Sequence, residues 1–162
     1  MPELPRVWLA RAGGSGQDEE AALRLGLAVV DFHFPSVAGA EDYDAIKRLV
    51  LETKPDLKPN AAGKYAGQLG AFALWMEDGD IVVLPRKQTG QIALGKVNGP
   101  YEYREIDVGS RHVRPVEWIR IDIPRPTFGQ DLLASMGAFL TVCEIKRNDA
   151  ASRIVAVLEG NP

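Results

Sequence analysis

Apolar residues in this chain follow two rhythms, and the change from one to the other divides it near Asp78. Val7-Trp8-Leu9-Ala10 is a continuous apolar run that enters a glycine-rich turn, Gly13-Gly14-Ser15-Gly16, and predicts a short buried strand. Ser15 followed by Asp18 resembles a capping box, so Glu19 to Leu25 is predicted helical, with Gly26 as its left-handed stop. Leu27 to Phe34, rich in β-branched and aromatic residues, predicts a strand ended by Pro35. Tyr43, Ile46, Leu49 and Val50 return at helical spacing. Lys54 to Pro59 is a loop, because Pro55 and Pro59 block a continuous helix. Tyr65, Leu69, Phe72 and Met76 then fall on one helical face and predict a helix reaching about Met76. Gly63, Gly67 and Gly70 each cost that helix roughly 1 kcal/mol against alanine. Their presence points to a backbone or a ligand in close approach.

Past Asp78 the pattern turns to strands. Asp78-Gly79 is a turn between the helix and a strand over Asp80 to Leu84, and Gln91 to Val97 pairs with it after a short loop. Tyr101 to Arg104 and His112 to Ile121 are further strands, with Pro115 marking an edge or a bulge. Gly129 to Met136 reads as a short helix or turn and Phe139 to Ile145 as a last strand. Asn148 caps a terminal helix whose Ala150, Ile154 and Val157 face inward. The order β-α-β-α-α followed by a β meander predicts a single α+β domain over residues 1–162, with a small curved sheet or barrel flanked by helices.

Composition sharpens this picture only in part. With 46% apolar and 25% charged residues the chain is ordinary globular protein. No apolar run approaches the ~18 residues that cross a bilayer. The opening Met1-Pro2-Glu3-Leu4-Pro5-Arg6 lacks the order of a signal peptide, and Cys143 is the single cysteine, so a cytoplasmic protein without disulfides is expected. A net charge of -3 does not favour nucleic acid. Its distribution is less hostile: Ile81 to Phe128 holds eight basic and five acidic residues, 8 - 5 = +3, which leaves -6 elsewhere. Such a stretch is either a solvated face or a binding surface.

Little catalytic chemistry is visible. His33, His112 and Cys143 have no metal-ligand spacing, and neither a metal nor a cofactor is expected. Gly95-Lys96 lacks the earlier glycine and the hydroxyl residue of a phosphate loop. Gly13 to Gly16 could hold a phosphate on its amides, or could simply connect strand to helix. Cys143, among apolar neighbours, reads as a small core residue. Asp131, Glu144 and Lys146 have the order D…E-x-K of nucleases that hold Mg²⁺ on two carboxylates. Three common residues fall in that order readily by chance, so the expectation is binding without catalysis, with a Mg²⁺-dependent nuclease as an alternative.

Several ordered segments carry a resemblance. They are Val7-Trp8-Leu9-Ala10-Arg11-Ala12-Gly13, Tyr65-Ala66-Gly67-Gln68-Leu69, Gly79-Asp80-Ile81-Val82-Val83-Leu84-Pro85 and Ala93-Leu94-Gly95-Lys96-Val97-Asn98-Gly99-Pro100-Tyr101. His112 to Trp118, Gln130 to Leu133 and Gly137 to Cys143 complete the set. Together they resemble the N-terminal, DNA-reading domain of Mrr-like restriction endonucleases. That domain is similar to the PUA-like superfamily of EVE, YTH and SRA modules, which read modified bases in DNA or RNA. The chain departs from the pattern in having Phe32 after Asp31 where a tryptophan after glycine is usual, and Gly70 after Gly67-Gln68-Leu69, with Trp75 one turn later.

The resemblance implies capture of one extruded base of modified DNA, with 5-methylcytosine the leading expectation, in an aromatic pocket, in the service of restriction of foreign DNA or an epigenetic role. An RNA-binding module of the same class is the alternative. A nuclease domain follows the module in relatives, so this sequence, ending at Pro162, is expected to be a stand-alone reader or the reading part of a larger protein. An extruded base needs flat walls and polar groups for its edge. Phe32 and Tyr65 are the candidate walls, with core packing as the other reading of each. Asp31 is a candidate acceptor for a cytosine amine, or a turn residue. Gln130 and Asp131 are candidates for base edges, or for helix capping. Trp8 and Trp118 read as core. Arg11, Arg86, Lys87, Arg111, Arg114 and Arg125 are the candidate phosphate contacts.

Overall fold

The structure is a computed structural model that describes residues 4–13, 15–137 and 140–160. Its frame is a mixed seven-stranded sheet: β1 (Val7–Ala10), β2 (Leu27–Val30), β3 (Ile81–Pro85), β4 (Ile92–Val97), β5 (Glu102–Ile106), β6 (Gly109–Ile123) and β7 (Val142–Glu144). The strands run in the order β2-β6-β4-β3-β1-β7, with β5 on the flank of β6. The path stays open at β2 and β7, so the curved sheet expected from the sequence is present and the closed barrel is not. Among the described residues only β1 and β3 pair in parallel.

Curvature comes from β6. Its first half pairs with β2 on one side and β5 on the other, and its second half passes to β4. Pro115 sits at the changeover, its carbonyl accepting from the Asn98 amide at 2.9 Å. The register slips on β4 around Leu94, the irregularity that lets a long strand bend.

Alternation along the central strands sorts the core into two layers. Trp8, Ala10 and Val82 face one side, where they pack against α2 (Tyr43–Thr53) and α3 (Pro59–Gly70). Val7, Leu9, Ile81 and Val83 face the other, against α4 (Gly129–Met136) and α5 (Ala150–Leu158). α1 (Glu19–Leu25) closes a third, smaller cluster with β2. Gly26 ends α1 in the left-handed conformation, φ 69, as its place in the sequence predicts.

Five expectations are corrected, the first being that Asn148 caps α5: Asp149 stands at its N-cap, with no side-chain cap hydrogen bond. Ser15 does not cap α1: its amide and hydroxyl both turn to the Gln17 side chain, and Asp18 stands at the N-cap. β2 stops at Val30, four residues short of Phe34. α3 does not run regularly to Met76, because Ala71–Trp75 forms a π-helical turn in which the Met76 amide donates to the Ala71 carbonyl. The last strand begins at Val142, and its predicted start, Phe139, lies outside the described residues. No helix among the described residues is long and apolar enough to cross a membrane.

Candidate functional site

The early end of β2 builds the site. Pairing with β6 holds as far as Val30 opposite His112, and the chain then leaves the sheet. The Asp31 carboxylate accepts from the His33 amide at 2.9 Å, closing a tight side-chain turn. His33 takes a left-handed backbone, φ 59, which is uncommon for a residue with a side chain. Such conformations gather at functional sites, where the surrounding structure holds them. The bend directs Phe32 and Phe34 toward α3. Phe34 meets Tyr65 edge-on with ring centres 5.1 Å apart, and Phe32 meets it at 6.2 Å.

Between this bend and α3 opens a cavity of about 440 Å³. Asp31, Phe32 and Tyr65 all line it, together with Lys54, Lys64 and Gln68. Its size suits a small planar ligand, within the ~300–1,000 Å³ of typical ligand pockets. Phe32 is buried and Tyr65 half-buried, so Tyr65 is the ring with surface to spare. The Lys54 ammonium lies 4.7 Å from the centre of the Phe34 ring and 5.8 Å from that of Tyr65. Asp31 keeps a carboxylate oxygen 3.4 Å from the Arg111 guanidinium. The chemistry on offer is therefore aromatic surface, an anionic acceptor and two ammonium groups.

Two buried polar residues brace these walls. Gln68 accepts from the Thr141 and Val142 amides at 2.8 and 3.1 Å, tying α3 to the entrance of β7. His112 lies behind Phe32, ring centres 6.5 Å apart. Tyr101 accepts from the Val37 amide, so its hydroxyl donates to His112 Nδ1 at 2.6 Å, and Nε2–H donates to the Phe34 carbonyl at 3.1 Å. Burial pushes the imidazole down to about 4, and it is neutral at physiological pH.

The remaining sequence candidates are not brought to this cavity. Gln130 and Asp131 stand on α4, whose Leu132 packs on the opposite face of the sheet. Gln130 is exposed, and Asp131 makes a two-pronged ion pair with Arg153 at 2.6 and 2.9 Å that holds its carboxyl down at about 2. Arg125 is exposed on the 3₁₀ turn Arg125–Phe128, also on that opposite face. Arg114 has a different task from the phosphate contact expected of it. It is 4% exposed and donates to the carbonyls of Gly99, Phe72 and Met76, each at 3.0 Å. Arg111 is pinned by Asp18 at 2.9 Å, with 15% of its side chain exposed. Arg86 donates to the Ile121 carbonyl and Arg11 to that of Met136, while Lys87 is exposed beside α1.

Nor do the alternative chemistries assemble. Asp131 is committed to Arg153, whereas Glu144 on β7 faces Lys146 at 3.6 Å. Among the described residues no group of three or more His, Cys, Asp or Glu side chains is placed to hold a metal ion. Beside Gly16 of the turn before α1 lies a carboxylate of the chain itself: buried Glu19 accepts from the Lys87 amide at 2.8 Å. Cys143 is half-buried against the α4–α5 layer, and burial pushes its thiol up.

Sequence reasoning missed His33, Lys54, Lys64, Gln68 and Thr141 as lining residues. Two signals were available. Asp31-Phe32-His33 has the spacing of a side-chain turn, and Gln68 is a polar residue on a buried helical face.

Among curated proteins none matches the chain. A family model described as a domain of unknown function (DUF8426) matches residues 8–137. That span runs from β1 to the end of α4 and holds all the cavity's lining residues except Thr141. The chain belongs to the DUF8426 family.

Proposed function

We propose that this protein is a PUA-like reader of modified DNA that captures one extruded base, 5-methylcytosine foremost, in the cavity between the β2 bend and α3, without catalysis. The observation that carries the reading is the convergence of Asp31, Phe32 and Tyr65 on that cavity. Asp31 and Phe32 are neighbours at the β2 bend and Tyr65 stands on α3, distant in sequence, and the resemblance matches Phe32 to a base-stacking position. Asp31 would accept from the exocyclic amine of cytosine. Tyr65 would stack on the ring and Phe32 would close its edge. Lys54 and Lys64 would meet the flanking phosphates. The α+β frame with a curved sheet agrees with a PUA-like fold, and a cytoplasmic role in restriction, with a nuclease domain in larger relatives, fits the same reading.

The energies set the expected selectivity. Extruding a base costs a few kcal/mol, and one aromatic stack returns about 1–3 kcal/mol. Filling a pocket with one methyl adds about 1–3 kcal/mol, roughly 10- to 200-fold. Methylated duplex should therefore bind more tightly than plain duplex by that factor, with plain duplex still bound. The test is a panel of methylated, hydroxymethylated and plain DNA, with RNA of the same sequence. Tyr65→Ala and Phe32→Ala, shown folded by circular dichroism, should lose most of the methyl preference. Full preference in both folded variants would place the pocket elsewhere, and tighter binding of RNA would make the module an RNA binder.

A further inference from the structure

A second cavity, of about 770 Å³, adjoins the first, and Lys64 and Gln68 line both. It runs along the glycine face of α3. Gly63 and Gly67 stand four residues apart there, with no positive φ to explain them. A Cβ on Gly67 would meet nothing within 4 Å, and one on Gly63 would meet only the Tyr43 hydroxyl at 3.5 Å. The packing of the chain does not require glycine at either place, yet both weaken the helix. What they provide is bare helical backbone facing an open cavity.

Trp75 lines the same cavity. The π-helical turn sets it there, with the indole packed on Gly70, where a Cβ would come within 3.2 Å of the ring. Trp8 and Trp118 are tied into the frame through their N–H groups, whereas Trp75 is 41% exposed. The charge of the lining is opposite to that of the chain: Arg6, Lys64 and Lys146 face one carboxylate, Glu144, in a protein of net charge -3.

We infer that this cavity binds a nucleotide, its base stacked on Trp75 beside the glycine face of α3 and its phosphate held by Arg6, Lys64 and Lys146. Stacking on an indole asks only for a π face and so admits any base. A purely apolar ligand would leave the excess of cations over the one carboxylate, which pairs with Lys146, unanswered, and a bare anion would make no use of the indole or of the glycine face. The inference stands independently of base capture in the first cavity.

The test titrates the intact protein by calorimetry with adenosine monophosphate, adenosine, inorganic phosphate and a short single-stranded adenine oligonucleotide. Adenosine monophosphate should bind at least tenfold more tightly than adenosine or phosphate. Gly67→Leu fills the cavity with a good helix former, so it should raise the unfolding midpoint while weakening adenosine monophosphate at least tenfold. Trp75→Ala, a change at an exposed side chain, should weaken it comparably without loss of fold. Phe32→Ala should leave it unchanged, which separates this site from the base pocket. Tighter binding of the oligonucleotide would make the natural ligand a nucleic-acid strand, and equal binding a free nucleotide; both support the site. Binding that survives Gly67→Leu and Trp75→Ala, that vanishes in Phe32→Ala, or that is no stronger than for phosphate would overturn it.

Discussion

At the scale of single residues, His112 shows how the site trades solubility of a side chain for position. The imidazole is buried, uses both nitrogens, and fixes the carbonyl of Phe34 where the chain bends away from β2. Its folded pKa of about 4 lies below the ordinary value of 6.5. Between those values the unfolded chain binds the extra proton, so stability rises with pH across the window and is fully present above about 6.5. As pH falls through the window to about 4, this contribution is lost, on the order of 3 kcal/mol. Urea unfolding from pH 7 to pH 4 should show that loss, and His112→Gln should flatten much of the slope while lowering stability at pH 7. An unchanged slope in the variant would mean that other groups carry the acid sensitivity. Asp31 illustrates how far residue chemistry was legible. Acceptor and turn residue were alternatives in the sequence, and the structure gives it the turn through His33 while leaving its carboxylate on the cavity wall.

At the scale of elements, the segment from Pro59 to Trp75 is the part that periodicity describes least well. Leu69, Phe72 and Met76 are buried as their spacing predicts, but the five-residue turn Ala71–Trp75 inserts an extra residue into the ladder. No residue type announces a π turn; it is held from outside, by Arg114. That guanidinium reaches from β6 to the Phe72 and Met76 carbonyls at the C-terminal end of the turn, where helix carbonyls lack partners and favour a cation. Arg114→Met should cost at least about 2 kcal/mol, since three buried carbonyls lose their donor. Amide exchange should quicken over residues 71–76 ahead of the rest of α3. Uniform exchange along the segment would show that the turn does not need this clip. Arg114 was read as a phosphate contact because sequence reports charge and not burial. The strands and most helices were legible for the opposite reason: Gly26, Pro55, Pro59 and Gly79 mark boundaries by backbone geometry alone. The placement of Gln130 and Asp131 was not, because it depends on which sheet face α4 covers.

At the scale of the whole molecule, the question is how a protein of net charge -3 would hold a polyanion. The excess of basic residues between Ile81 and Phe128 is not the answer by itself, since Arg111 and Arg114 are spent inside the fold and Arg125 lies on the α4–α5 face. The cations that line cavities on the α2–α3 face come instead from other segments: Lys54 and Lys64 in the first cavity, Arg6, Lys64 and Lys146 in the second. Each phosphate neutralised releases counterions and contributes about -0.9 to the slope of log affinity against log salt on duplex DNA, and about -0.7 on a single strand. The two cations of the first cavity give a slope of roughly -2 on duplex DNA and all four give roughly -4, well short of proteins that make many phosphate contacts. Lys64→Gln should reduce it by about one and weaken methylated and plain duplexes alike, because phosphate contacts carry no base information. Arg125→Gln, on the far face, should change neither affinity nor slope. Binding measured from about 50 to 200 mM salt decides the matter. A flat titration would remove phosphate contact from the account, and a slope reduced by Arg125→Gln but not by Lys64→Gln would put the nucleic acid on the α4–α5 face.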